Sequence, residues 1–210
     1  DHARVGSSAY LCAAPGAGVL RLRAGAAALI ETQPYGSRTT INGVTVSFHP
    51  AGHILGSAQV RVAHGGEVWV VSGDYKTDPD PTCASFEPVT CDTFITEATF
   101  GLPIYRWPPQ AEVFKTIDDW WRANQRAGRA SVLFAYALGK AQRVLAGIDA
   151  SIGPLFVHGA VDRLNDAYRA AGVSLPDCVY VGDAPEDVDW SQALIVAPPS
   201  AQGTPWADGG

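Results

Sequence analysis

Methionine is absent from all 210 residues, charged side chains make up only 17% of them, and cysteine occurs just four times. The low charge, set against 47% hydrophobic residues, excludes a disordered tail and leaves enough apolar material for a packed core. Cys12, Cys83, Cys91 and Cys178 contain no C-x-x-C pair and are too sparse to staple a chain of this size, so a reducing, cytoplasmic setting is expected. Long apolar runs are missing as well. Stretches 68–71 and 193–197 fall far short of the roughly 20 residues a membrane span requires. No internal repeat or low-complexity tract occurs. A net charge of -6 argues against coating nucleic acid over the whole surface, while leaving room for a local basic groove or a site whose charge comes from bound metal. The chain opens at Asp1 with nothing resembling a signal peptide and ends in a Pro- and Gly-rich stretch, and it reads as a piece of a longer protein, cut at both ends.

What is present falls into two styles. Up to about residue 100, short strands dominate. Stretches 39–41 and 44–48 flank Asn42-Gly43, whose tolerance of positive φ predicts a hairpin, and 57–63 and 67–71 flank His64-Gly65-Gly66 in a second one. A further strand is expected at 93–96. After Pro108-Pro109 the period turns helical, with Val113, Phe114, Ile117, Trp120 and Trp121 on one face and Gly128 placed to end the helix. Strands at 131–136, 155–157, 178–181 and 193–197 then alternate with helices at 139–148 and 161–171, which predicts parallel βαβ units and an α/β class.

Candidate ligands lie where strand ends meet glycine-containing turns. His53 stands in His49-Pro50-Ala51-Gly52-His53, ahead of a strand, and Asp74 follows Ser72-Gly73 at the end of one. Each alone also suits a structural role, a capping histidine or an Asx-turn aspartate. Asp1-His2 adds a further pair. His49 reads as a packing or solvent-facing residue, His64 as a turn residue, and His158 as structural or substrate-side. Lys140 follows Gly139 at a helix start, where backbone donors and the helix dipole favour a phosphate, and Arg143 lies about one turn on.

Taken in order, Asp1-His2, then Gly52-His53, then Gly73-Asp74 resemble the ligand order of the metallo-β-lactamase superfamily, with Asp1-His2 as the last two members of its His-x-His-x-Asp-His motif. Phe94-Ile95-Thr96-Glu97-Ala98-Thr99-Phe100-Gly101 is similar to the acidic strand-end motif of the β-CASP nucleases, and residues 134–143 to a turn and helix start inside their inserted domain. Residues 70–81 and 101–108 look most like the bacterial ligase-associated DNA exonucleases. The resemblance implies a truncated αββα sandwich over residues 1–103, a β-CASP βαβ insertion over 104–190, and the start of a return to the sandwich over 191–210.

It also implies a site. Two divalent ions, zinc or manganese, would clamp a phosphodiester and activate water between them. His53 would hold one ion, Asp1 and His2 the other, and Asp74 would bridge both. Glu97 would orient a ligand histidine. Lys140 and Arg143 would contact the nucleic-acid backbone. The activity implied is a DNA exonuclease of bacterial repair acting on a single strand, working near an ATP-dependent DNA ligase and a helicase, with no membrane partner. An RNA-processing nuclease and a catalytically inactive binding module are the alternatives.

Overall fold

The computed structural model describes residues 3–204. The chain divides between Tyr105 and Arg106 into two units. In the first, strand β1 (Tyr10–Ala13) and strand β2 (Ile30–Gln33) pair in parallel, joined across helix α1 (Ala17–Ala24). The sequence predicts no element here. With only Val19 buried, α1 carries no apolar period long enough to register as a helical stripe.

Both predicted hairpins form, the second turning through two residues rather than three because His64, expected in the turn, ends its strand opposite Glu67. Strands β3 (Arg38–Ile41) and β4 (Val44–Pro50) turn through Asn42 and Gly43, at φ 50° and 83°. Strands β5 (Ala58–His64) and β6 (Glu67–Val71) turn through Gly65 and Gly66, at φ 59° and 91°. Paired positive φ values give the reverse twist that a two-residue hairpin needs. Strand β7 (Thr93–Ile95) then joins parallel to β6, and the sheet order is β3-β4-β5-β6-β7. Because β5 runs against β6 while β7 runs with it, the start of β5 and the ends of β6 and β7 fall at one end of the sheet. That end carries His53, Asp74 and Glu97.

The second unit opens with helix α2 (Gln110–Arg126), which begins after Pro109 and stops at Gly128, φ 64°. There follow β8 (Ser131–Phe134), α3 (Lys140–Gly147), β9 (Leu155–Val157), α4 (Gly159–Ala170), β10 (Val179–Tyr180) and β11 (Leu194–Ala197). All four strands are parallel, in the order β10-β9-β11-β8. The central strands are buried on both faces, as parallel strands under crossover helices must be. Leu155, Val157, Leu194 and Val196 pack with Trp121, Leu145 and Val161, while Phe156 and Ile195 face Val181, Val188 and Trp190. Residues 191–210, expected to begin a return to the first domain, contain β11, and that strand sits between β8 and β9. Its four buried apolar residues, Leu194–Ala197, complete this core, which is the physical reason the strand stays within the second unit.

Candidate functional site

The His53 imidazole and the Asp74 carboxylate meet across two loops, with Nε2 and Oδ2 3.8 Å apart and side chains 32% and 42% exposed. Short-range chemistry fixes the first loop. The Ser57 hydroxyl accepts the N–H groups of His53 and Ile54, and the Ser57 carbonyl accepts both the Ala51 N–H and the Tyr35 hydroxyl. Burial, reinforced by the negative charge that the nearby Cys83 and Cys12 carry as thiolates, pushes the Tyr35 pKa up to about 12, so that hydroxyl stays a donor. The second loop is drawn onto the first by the Lys76 N–H to the Ala51 carbonyl and by the Glu87 N–H to the Pro50 carbonyl. At Gly52, φ 71°, a Cβ would stand 2.2 Å from the Lys76 carbonyl oxygen. Only glycine permits that approach, and it brings Asp74 to His53.

At 3.8 Å the two atoms lie somewhat wider than two bonds of about 2 Å to one tetrahedral ion would set them, a gap that rotation of the part-exposed side chains can close. Among the described residues no cluster of three or more histidine, cysteine, aspartate or glutamate side chains gathers as a metal site. Asp1 and His2, the expected further ligands, lie outside the described residues. Glu97 leaves the end of β7 beside the end of β6, where Ser72 N–H bonds the Ile95 carbonyl, and its Oε2 accepts the Thr99 N–H at 2.7 Å. It shares the sheet end with Asp74.

In the second unit the turn between β8 and α3 carries Tyr136 and Lys140, with the Lys140 ammonium 4.7 Å from the Tyr136 ring centre. Two of the backbone donors at this helix start are already engaged. Gly139 N–H bonds Gln142 Oε1, and Ala141 N–H bonds the Tyr136 carbonyl. Arg143 gives its Nε–H to Gln110 Oε1 at 2.9 Å, which ties α3 to α2. His158 caps α4, its Nδ1 accepting the Ala160 N–H, and burial followed by the Arg163 charge lowers its pKa.

Two polar groupings have no counterpart in the sequence reading. His49 bridges Ser47 Oγ (3.1 Å) and Glu87 Oε1 (2.9 Å), holding the Asp74-bearing loop at its far end. Ser47 is 1% exposed, so this Ser-His-Glu chain presents no nucleophile to a substrate. Gln142 and Asn165, both fully buried, join the β8–α3 turn to α4 through Gln142 Nε2 and Asn165 Oδ1, 2.9 Å apart. The only sequence signal for the pair was two amides on otherwise apolar helix faces.

No protein-family model matches the chain. Over 168 residues, 79% of its length, it is 32% identical to a protein of Opitutus terrae named Probable DNA ligase. Over 126 residues, 58% of its length, it is 32% identical to Endoribonuclease ysh1 of Aspergillus fumigatus. With Endoribonuclease YSH1 of Saccharomyces cerevisiae the identity is 29% over 122 residues, 57% of the chain. The chain spans 16%, 14% and 15% of the lengths of these three proteins.

Proposed function

We propose that the chain carries part of the metal site and substrate channel of a nuclease of the metallo-β-lactamase and β-CASP type, acting in the cytoplasm on single-stranded DNA as an exonuclease of bacterial repair. The observation that carries this is the His53–Asp74 pair, half-exposed and held 3.8 Å apart by two loops of one sheet end. Relatives named as a DNA ligase and as endoribonucleases agree with a nucleic-acid substrate. A divalent ion bound there, zinc or manganese, supplies Lewis-acid polarisation of a phosphodiester and acidifies water. His53 would hold that ion and Asp1 and His2 a second, with Asp74 shared between the two. Glu97, from the adjacent strand, would orient this ligand set, and Lys140 would meet the negative backbone of the strand.

Similarity to a protein named as a DNA ligase agrees with work alongside a ligase, and an ATP-dependent ligase and a helicase are the functional neighbours proposed. The endoribonuclease names favour a second reading, an RNA-processing enzyme. The full-length protein, given one 5'-phosphorylated sequence as DNA and as RNA with Zn2+ or Mn2+, separates the two. Stepwise shortening of DNA, reduced at least a hundredfold in Asp74→Ala, is expected. Cleavage of RNA alone would transfer the assignment to RNA processing, and equal inertness of both proteins on both strands would favour a binding module.

A further inference from the structure

We propose that Tyr136 is a stacking platform for one unpaired nucleobase, held in position by the buried Gln142–Asn165 pair, with Lys140 placed for the adjoining phosphate; this rests on the nucleic-acid reading above. Tyr136 is 61% exposed, two residues past the end of β8, although its neighbours Ala135 and Ala141 are buried. Several large apolar side chains are exposed in this chain, and Tyr136 is set apart by the fixed turn that presents it and by the Lys140 ammonium beside its ring. The contrast with Tyr180, at the end of β10 on the same carboxyl edge of the parallel sheet, is informative. Tyr180, 39% exposed, is the more covered of the two: a Cβ at Gly159 or Gly182 would stand 3.0 Å or 2.5 Å from its ring. Tyr136 is more open and has the Lys140 ammonium over its ring.

The turn beneath Tyr136 is unusually well fixed for an exposed segment. Gln142 uses its whole amide, accepting from Gly139 N–H and donating to the Ala137 carbonyl and to Asn165 Oδ1. Asn165 lies on α4 and gives its own Nδ2–H to Cys178 Sγ. The ring is thus presented from a rigid turn, which lowers the ordering cost of stacking. Aromatic faces bind any base by stacking, and a cation beside the ring neutralises the neighbouring phosphate. The ligand class is therefore single-stranded nucleic acid, read without base preference at this position.

The test uses the full-length protein and a fluorescent single-stranded 12-mer, intact or with one abasic residue moved along it, followed by anisotropy. In the wild type one abasic position is expected to weaken binding about 5- to 100-fold. Tyr136→Ala should weaken the intact strand by the same factor and lose nothing further at that position, while Tyr136→Trp restores both values. Lys140→Gln should weaken every strand alike and lower the slope of log Kd against log salt by about 0.7. A wild type that binds but ignores every abasic position, or a Tyr136→Ala protein that still discriminates, overturns the platform and leaves the nuclease reading standing. A wild type that neither binds nor cuts any oligonucleotide overturns both.

Discussion

Each unit buries one glutamine completely, and the two are used differently. Gln59, on β5, donates to the Pro50 and Glu87 carbonyls, and its Oε1 has no partner. Gln142, on α3, has every amide position engaged. In the first unit the loop behind Asp74 is also held by His49–Glu87, by two backbone hydrogen bonds and by the close approach at Gly52, so Gln59 is one fastening among several. In the turn of the second unit the side-chain fastening is concentrated on Gln142, beside the backbone bond from Ala141 N–H to the Tyr136 carbonyl. Redundant fastening would suit the proposed ligand set, whose geometry a charged ion would load; one well-satisfied latch would be sufficient for the proposed stacking surface, which tolerates small adjustments.

The largest effect expected on stability comes from attacking the first arrangement at its tightest point. Gly52→Ala combines positive φ with a collision against the Lys76 backbone and should cost about 4 kcal/mol in urea denaturation, whereas Gly36→Ala, at φ 75° in open space, should cost about 1 kcal/mol. Next comes the glutamine comparison itself. Gln142→Ala orphans the Gly139 N–H and Asn165 Oδ1 and is expected to cost about 2–3 kcal/mol, against about 1 kcal/mol for Gln59→Leu, which also removes an unpaired oxygen. Equal costs would remove the distinction between redundant and single fastening.

Smaller effects follow from titration. The His158 pKa is lowered below its usual 6.5, so the unfolded chain takes up this proton first as pH falls. The stability associated with it is full above about pH 6.5 and is lost as pH drops toward the folded value. Stability curves from pH 8 to 5 should be flatter for His158→Asn, which keeps a capping acceptor without the titration. The smallest change concerns Asp149. Its Oδ1 accepts the Ser151 hydroxyl and N–H, and with Arg122 these hold its carboxyl below the usual 3.8. Its contribution is present above that value and disappears as pH falls through the folded pKa. NMR titration of Ser151→Ala should show the Asp149 pKa moving up toward 3.8.

Much of this architecture was legible in the sequence because its signals are local. Asn42-Gly43 and Gly65-Gly66 dictate turns by φ alone, and the alternation of short apolar runs with amphipathic stretches after Pro109 dictates parallel βαβ units. The start of the chain was not legible, since α1 buries a single residue and β1 and β2 are four residues each. At the site, His53 and Asp74 were readable from their places beside glycines at strand ends. Their mutual approach depends on Gly52 meeting Lys76, a contact 24 residues apart that no spacing rule encodes. His49–Glu87 and Gln142–Asn165 stayed hidden for the same reason, as each pair joins residues separated by 38 and 23 positions.

The most direct test of the shared-ion claim is the metal content of the full-length protein after dialysis against Zn2+ or Mn2+, compared among wild type, His53→Ala and Asp74→Ala. Both side chains are partly exposed, so truncation should leave stability within about 0.5 kcal/mol. The account predicts that each variant, folded to the same degree as wild type, retains less metal and loses nuclease activity in parallel. Variants that hold as much metal as the wild type and cut as fast would contradict it.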